Sequence, residues 1–186
     1  RMYEMFMGAF DQAIPWSTEG ARGCRRFLDR VWRLMEMLVD SDKISSDMAY
    51  DVNFTIKKVS EDYERMKYNT AIAQMMSLVN AFYAKGQVTR GELRILCLLL
   101  NPVSPHITEE INELCGLGPE LFRSPWPKHD EKALVKETVE IAVQINGKVR
   151  GRLEIPADLT REGAEAYFAA NEDVQKLLGG KAVRKL

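Results

Sequence analysis

Residues 89–105 read TRGELRILCLLLNPVSP, and this stretch decides the fold because it begins one helix, ends it and begins the next. Thr89 followed three residues later by Glu92 matches a capping box, which is typical of a helix start. Asn101-Pro102 ends that helix because proline disfavours the helical conformation of the residue before it. Ser104-Pro105 then places a favoured N-cap residue before a proline at the first helical position. The stretch therefore predicts two helices joined by a short connection.

Upstream of this stretch, apolar residues recur at three- and four-residue steps, which is typical of amphipathic helices. The predicted helices comprise residues 21–39, 47–66, 71–85, 89–101 and 105–116. Asn69 or Thr70 is expected to cap the third helix, and Gly86 to end it in the left-handed conformation. Residues 1–20 predict a short helix or turn followed by an extended linker. Five helices with short connections predict an antiparallel bundle.

The hydrophobic period changes from 3.6 to 2 beyond a loop-rich connector at residues 117–133. Residues 139–145 and 149–155 alternate apolar with polar side chains, which predicts two half-buried strands. A helix over residues 161–178 and a strand starting at Lys181 follow. The sequence thus predicts an α-helical bundle followed by a small α+β domain.

The turn between the two predicted strands contains Asn146-Gly147. A two-residue loop there would pair apolar with charged residues on one face of the hairpin. A three-residue loop, Ile145–Gly147 with Gly147 left-handed, pairs Gln144 with Lys148 and continues with apolar pairs. The alternation therefore favours the three-residue loop.

Cations are segregated along a chain whose formal net charge is only −1, so any nucleic-acid surface must be local. Residues 21–36 carry five arginines against Asp29 and Glu36, and residues 176–186 carry four cations and no acid. A row of cations on one helix face or along a strand can track phosphates. A third basic cluster, Lys148, Arg150 and Arg152, lies on the polar face of the predicted hairpin.

A second interpretation of the arginine-rich helix remains open. Arginines opposite an apolar stripe commonly form a solvated face, and Asp29 can pair with Arg25 or Arg33 at helical spacing. Seven aromatic side chains fall largely among apolar positions, so the sequence predicts core packing rather than base stacking for them: Tyr3, Phe10, Tyr50, Phe54, Tyr63, Phe82 and Tyr83. Trp126, between two prolines, is expected to anchor the connector on the bundle.

The sequence offers no catalytic constellation and no metal site. His106 and His129 are the only histidines, and neither accompanies a nucleophile in a triad pattern. The three cysteines are widely spaced, which is typical of a reducing compartment, and Cys97 is expected to be a small buried hydrophobe. No run is long and apolar enough to span a membrane. We predict a cytoplasmic protein without membrane association.

Several segments together resemble bacterial-type leucyl-tRNA synthetases. They are Arg26–Leu34, Tyr68–Ala73, Leu100–Ile107, Ser124–Pro127 with Asp130–Ala133, and Val143–Arg150. The last segment, Val-Gln-Ile-Asn-Gly-Lys-Val-Arg, is the most specific, because it distinguishes the leucine enzymes from their isoleucine and valine relatives. The resemblance covers essentially the whole chain.

The resemblance implies a parent enzyme that ligates leucine to tRNA(Leu) with ATP and Mg²⁺ and edits mischarged products. The two nucleotide-binding motifs of that family and its editing domain have no counterpart here, so the fragment is expected to be inactive and to hold no cofactor. Its expected partners are tRNA(Leu) and the missing catalytic and editing domains of the same polypeptide. The alternative is a helical protein-interaction domain without RNA binding.

The resemblance also implies a division of the chain. Residues 1–20 would be the exit of the catalytic domain, 21–116 the anticodon-binding-type bundle, 117–133 the connector, and 134–186 a tRNA-binding domain truncated at its end. Both ends are expected to continue into a longer polypeptide. Carried over to this sequence, the resemblance implies that Arg26, Arg30 and Arg33 contact tRNA phosphates from the bundle. On the small domain it implies the same role for Lys148, Arg150, Arg152, Lys181, Arg184 and Lys185.

Overall fold

The computed structural model describes residues 1–9, 11–135, 138–145 and 148–156, together with Tyr167. The chain divides into two compact units, Arg1–Leu134 and Val135–Leu186. The described part of the first unit is predominantly helical, and that of the second contains an antiparallel hairpin. This confirms the predicted class, an α-helical bundle followed by a small α+β region.

The secondary structure of the described residues is as follows. The helices are α1 (Met2–Phe6), α2 (Thr18–Arg33), α3 (Ala49–Glu64), α4 (Tyr68–Lys85), α5 (Arg90–Leu100) and α6 (Pro105–Leu114). The strands are β1 (Leu38–Val39), β2 (Val88–Thr89), β3 (Thr138–Ile145) and β4 (Lys148–Pro156). Short 3₁₀ turns lie at Leu34–Met37, Ser46–Met48, Leu121–Arg123 and Glu131–Leu134.

The capping signals in the sequence are confirmed around α5. The Thr89 hydroxyl accepts a hydrogen bond from the Glu92 amide at 3.1 Å, and the Glu92 carboxylate accepts one from the Thr89 amide at 2.9 Å. Helix α5 ends directly before Asn101-Pro102, and α6 begins at Pro105. Gly86 follows α4 with φ of 79°, the left-handed conformation that only glycine adopts without strain.

Helix α2 begins and ends earlier than predicted. Ser17 is its N-cap, and its hydroxyl accepts a backbone hydrogen bond of 3.1 Å. The helix ends at Arg33 rather than at residue 39, because Leu34–Met37 tighten into a 3₁₀ turn and β1 pairs in parallel with β2. A strand of two residues is too short to show an alternating pattern in the sequence. The apolar residues after Arg33 still matched the helical period, so the helix was predicted to continue to residue 39.

Helix α4 begins at Tyr68, with Lys67 at the N-cap position, rather than after a cap at Asn69 or Thr70. The Thr70 hydroxyl instead donates to Oδ2 of Asp62 at 2.7 Å. Asp62 lies on α3 and its side chain is buried. A tertiary hydrogen bond between the two helices therefore uses the hydroxyl that the sequence assigned to the cap.

A single apolar core lies between the helices. Phe27, Val31 and Leu34 on the predicted apolar face of α2 are buried, and Leu28 and Met35 pack against them. The largest completely buried side chains of the other elements are Ile56, Ile72, Met75, Leu78, Phe82, Leu93, Leu96, Leu99, Leu100 and Ile111. Burial of this apolar surface is the main favourable contribution to folding.

Glu92 is buried without any exposed surface, which is unusual for a carboxylate. Besides the Thr89 amide, it accepts hydrogen bonds from the Ser45 amide at 3.0 Å and from the Ser45 hydroxyl, and Lys85 lies 3.5 Å away. Burial raises the pKa of Glu92, but these hydrogen bonds and the Lys85 charge outweigh it, so the pKa lies below its ordinary value. The capping box thus also fastens the segment after β1 to the start of α5.

The hairpin differs from its predicted register. Ile145 pairs with Lys148, so two residues rather than three separate the strand ends. A register shift between Val143 and Gln144 then leaves Arg150 unpaired as a bulge, and Val143 pairs with Gly151. Beyond the bulge Ile141 pairs with Leu153 and Val139 pairs with Ile155, so apolar residues are again opposite one another in the register. The prediction of loop length was wrong.

Three expectations lie outside the described residues: the conformation of Gly147, the helix over 161–178 apart from Tyr167, and the strand starting at Lys181. Within the described residues, no helix has the length and hydropathy that crossing a bilayer requires.

The segment that follows β1 passes close to the start of α5 at Gly91, and substitution of this glycine tests the close approach. A Cβ at Gly91 would lie 2.2 Å from the backbone oxygen of Asp42, so we expect Gly91→Ala to lower the free energy of unfolding by about 1–3 kcal/mol. Gly23 on α2 has no atom within 4 Å of such a Cβ, so Gly23→Ala should raise stability by about 0.5–1 kcal/mol. Urea denaturation measures both, and equal effects of the two substitutions would contradict the close approach.

Glu92 makes stability depend on pH. Because its folded pKa lies below the unfolded value of about 4.3, its contribution is present above that value and is lost as the pH falls through the folded pKa. We expect Glu92→Gln to lower the free energy of unfolding by about 1–3 kcal/mol at pH 7, with the difference from the wild type shrinking below about pH 4. A difference that does not change between pH 7 and pH 3 in urea denaturation would refute this contribution.

Candidate nucleic-acid interface

The solvent-facing side of α2 carries a row of arginines. Arg22, Arg26 and Arg33 are separated by four and seven residues, which places them on one helix face, and all three are exposed. Arg25 is also exposed, at the border of this face. The buried residues Cys24, Phe27 and Val31 hold the opposite face in the core, so packing fixes the direction in which the arginines point.

Two acids of α2 form ion pairs with this row. Glu19 lies 3.7 Å from Arg22 and 3.4 Å from Arg26, and Arg25 donates to Asp29 at 2.8 Å. The side chain of Arg26 nevertheless remains 73% exposed. Such solvated pairs contribute little, typically below about 1 kcal/mol, and a phosphate can displace them. Of the two partners considered for Asp29, the structure selects Arg25.

Arg30 is held differently from the other arginines. It is half-buried, and its guanidinium carbon lies 4.7 Å from the centre of the Tyr83 ring on α4. The Tyr83 hydroxyl donates to the backbone oxygen of Arg30 at 2.9 Å. The sequence placed Tyr83 in the core, and no local pattern relates residues that lie 53 positions apart.

Arg33 ends α2 and is exposed. It forms no ion pair with any of the residues that the structure describes. Thus Arg26, Arg30 and Arg33 lie on one helix. Arg26 is in a weak ion pair, Arg30 lies over an aromatic ring, and Arg33 is in no ion pair with a described residue.

The second set of predicted cations lies partly on the hairpin. Lys148 and Arg152 are paired residues of β4, with Ile145 and Ala142 as their respective partners, and Arg150 is the bulge between them. The assignment of these three cations to a nucleic-acid interface stays a prediction. Lys181, Arg184 and Lys185 lie outside the described residues.

A polar network that the sequence did not predict fixes the connector to the bundle. Arg94 on α5 donates to Oδ1 of Asn112 and to Oγ of Ser124, both at 2.8 Å. The Glu109 carboxylate accepts the Leu121 amide at 3.0 Å. Each of these contacts joins residues at least 12 positions apart, so periodicity could not reveal them.

Trp126 has the anchoring role predicted for it. Its indole nitrogen donates to the Ser60 hydroxyl at 2.8 Å, and its ring lies 5.7 Å from that of Tyr63. Both partners lie on α3. The connector therefore packs on the helical unit rather than extending away from it.

Neither histidine contacts a serine or cysteine side chain among the residues that the structure describes. His106 is exposed in the first turn of α6, and His129 bonds to Glu131 at 2.9 Å through Nε2. This bond and the Lys57 ammonium lower the pKa of Glu131 below its ordinary value.

Cys97 is fully buried, as predicted, and burial raises the pKa of its thiol. The described residues include no cluster of three or more His, Cys, Asp or Glu side chains able to hold a metal.

Known proteins are similar to this chain in both sequence and fold. The chain is 47% identical over 185 residues to the leucine–tRNA ligase of Alkaliphilus oremlandii (strain OhILAs), and covers 100% of itself but 23% of that ligase. It is also similar, with a TM-score of 0.75 and 30% identity, to a chain of the Agrobacterium radiobacter K84 agnB2 LeuRS, solved as a ternary complex with tRNA and LeuAMS. The match covers all of this chain and 27% of that one.

A family described as the anticodon-binding domain of tRNA ligase matches residues 47–166. The match spans α3 to α6, the connector and the hairpin, and begins after the arginine-bearing helix α2. Since it covers more than half of the sequence, the chain belongs to the anticodon-binding domain family of tRNA ligases.

Proposed function

We propose that this chain binds tRNA and positions it for a leucine–tRNA ligase of which it is one part. The exposed arginine face of α2 carries the proposal, because its cations are available to phosphates and the protein neutralises them only through solvated ion pairs. Phosphate contacts provide most of the affinity in nucleic-acid binding and fix the orientation of the nucleic acid.

The similarity to two leucine-specific synthetases supports a tRNA partner, since the structure of one of them contains tRNA. The chain spans about a quarter of the length of these relatives. The proposal therefore assigns leucine ligation, with ATP and Mg²⁺ as cofactors, to other parts of the parent polypeptide. In this scheme the parent works in the cytoplasm, and its catalytic and editing domains are the other partners of this chain.

We further propose that both the helical bundle and the small C-terminal domain contact tRNA. Residues 21–116 would form the anticodon-binding-type bundle, preceded by the exit of the catalytic domain at 1–20 and followed by the connector at 117–133. Residues 134–186 would form a small tRNA-binding domain. On the bundle Arg26, Arg30 and Arg33 would contact phosphates, and on the small domain Lys148, Arg150, Arg152, Lys181, Arg184 and Lys185 would do so.

The alternative function is a helical protein-interaction domain whose arginine face binds an acidic protein or only solvent. The two functions differ in their dependence on salt and on the ligand. Release of counterions from RNA makes the logarithm of the binding constant fall linearly with the logarithm of the salt concentration. A protein-interaction domain has no preference for tRNA over another polyanion.

We expect the chain to bind tRNA(Leu) more tightly than polyglutamate of similar charge, with steep weakening between 50 and 200 mM salt. Arg26, Arg30, Arg33→Glu should weaken tRNA binding by about 100-fold or more and reduce the salt slope by about two to three. Filter binding across salt concentrations measures both quantities.

The matched control for this charge reversal is Arg123, Lys128, Lys132→Glu, which alters three exposed cations of the connector and changes the net charge equally. We expect it to leave the affinity within about three-fold of the wild type. Circular dichroism must show that both variants remain folded. Equal losses in the two folded variants, or no preference for tRNA in the wild type, would favour the protein-interaction domain.

The hairpin cations provide a separate test of the small domain. We expect Lys148, Arg150, Arg152→Ala to reduce the salt slope of tRNA binding by up to about two to three. Alanine at the same three connector positions should not change the slope. A hairpin variant with an unaltered slope would exclude these residues from the interface while leaving the role of α2 intact.

A further inference from the structure

The C-terminal end of α2 leaves one backbone carbonyl for a tertiary contact. In a continuing α-helix the Leu34 amide would bond to the Arg30 oxygen four residues back. The Leu34 amide instead bonds to the oxygens of Val31 and Trp32, because the chain tightens into the 3₁₀ turn. The Tyr83 hydroxyl bonds to the Arg30 oxygen at 2.9 Å. Tyr83 thereby fixes the backbone of Arg30 against α4.

The same tyrosine also holds the side chain of Arg30. The guanidinium carbon lies 4.7 Å from the centre of the ring, within the range of a cation–π contact. A guanidinium on a ring face keeps its N–H donors at its edges, where they can form a two-pronged contact with a phosphate. The Arg30 guanidinium donates no hydrogen bond and forms no ion pair to any residue that the structure describes. The N–H donors of Arg30 are thus held in place, and no described residue accepts a hydrogen bond from them.

The other arginines of the face lack this support. Arg22 and Arg26 share Glu19 in solvated ion pairs, and Arg33 has no acidic partner in the described part of the chain. A free arginine side chain loses rotamer entropy when a ligand orders it. A guanidinium that is already held over a ring avoids much of that loss. Arg30 is therefore preorganised where its neighbours are not.

We propose that Tyr83 is a positioning residue for tRNA binding, and that it presents the Arg30 guanidinium to an RNA phosphate. The proposal rests on the proposed tRNA-binding function of the α2 face. It assigns to Tyr83 a role through Arg30 and no contact of its own with RNA. Arg30 is accordingly the cation of this face whose loss weakens binding most.

A double-mutant cycle between Tyr83 and Arg30 tests the coupling. We expect Arg30→Ala to weaken tRNA(Leu) binding about ten-fold, Tyr83→Leu about five-fold, and Tyr83→Phe, which keeps the ring, no more than about two-fold. In the Arg30→Ala background, Tyr83→Leu should cost no further affinity, since the group that it positions is gone. Arg26→Ala and Arg33→Ala should each cost less than Arg30→Ala.

Arg123 and Phe122 form the matched control pair. The Arg123 guanidinium lies 5.1 Å from the centre of the Phe122 ring, but on the connector rather than on α2. Arg123→Ala and Phe122→Leu should leave tRNA affinity within about two-fold of the wild type. This pair shows whether losing any arginine on an aromatic ring weakens binding nonspecifically.

A measurement on the free protein tests the positioning without RNA. The Nε–Hε resonance of Arg30 in ¹⁵N NMR spectra should be displaced by the ring current of Tyr83. We expect Tyr83→Leu to remove this displacement and Tyr83→Phe to retain it, with the remaining spectrum of Tyr83→Phe close to that of the wild type.

The outcomes separate the two proposals. Additive losses from Tyr83→Leu and Arg30→Ala, or an Arg30 resonance unaffected by Tyr83→Leu, overturn the positioning role while tRNA binding by the wild type still supports the function. Absence of salt-dependent tRNA binding by the folded wild type overturns the function itself and, with it, the role of Tyr83. Coupled losses that Tyr83→Phe rescues, with the matching resonance changes, support the positioning role.

Discussion

The buried carboxylate of Glu92 is the constraint on which the arrangement of α2 depends. It caps α5 through Thr89 and at the same time accepts hydrogen bonds from Ser45, so the segment that follows β1 is tied to the start of α5. An unsatisfied buried carboxylate would be strongly destabilising, and these bonds therefore admit few alternative chain paths. With that segment held, β1 can pair with β2, and α2 must end early. The cap thus indirectly sets where the arginine face stops.

Sequence could predict local signals but not the contacts that modify them. The capping box at Thr89, the left-handed Gly86 and the proline start of α6 are determined by neighbouring residues, and the structure has all three. The early end of α2 depends on pairing with residues some 50 positions away, which no local period encodes. In the hairpin the alternation required matching faces, but a bulge at Arg150 meets that requirement as well as a longer loop does.

The candidate interface shows the same division between local and distant information. Residue spacing alone placed the arginines of α2 opposite the core, and it also identified Arg25 as a possible partner for Asp29 at four-residue spacing. Spacing could not distinguish Arg30 from Arg26, because the difference lies in Tyr83 on another helix. Phe82 is buried and Tyr3, Tyr63 and Tyr83 pack against the core as predicted, whereas Phe54 is exposed. At Tyr83 the packing partners include a cation as well as the apolar core.

A chain with a formal net charge of −1 can present a basic face only if its acids are used elsewhere. Several of them are engaged inside the fold. Asp62 on α3 accepts hydrogen bonds from Lys58 on the same helix and from Thr70 on α4, and Glu109 accepts hydrogen bonds from two connector amides. These acids bond to residues of α3, α4 and the connector rather than to the arginines of α2, so the net charge of the whole chain understates the local positive charge of the arginine face. Cations that are concentrated on one face favour local, salt-sensitive binding of a polyanion over nonspecific binding of nucleic acid across the whole surface. Such a surface fits the proposed function, in which the chain orients tRNA while another part of the polypeptide performs the chemistry.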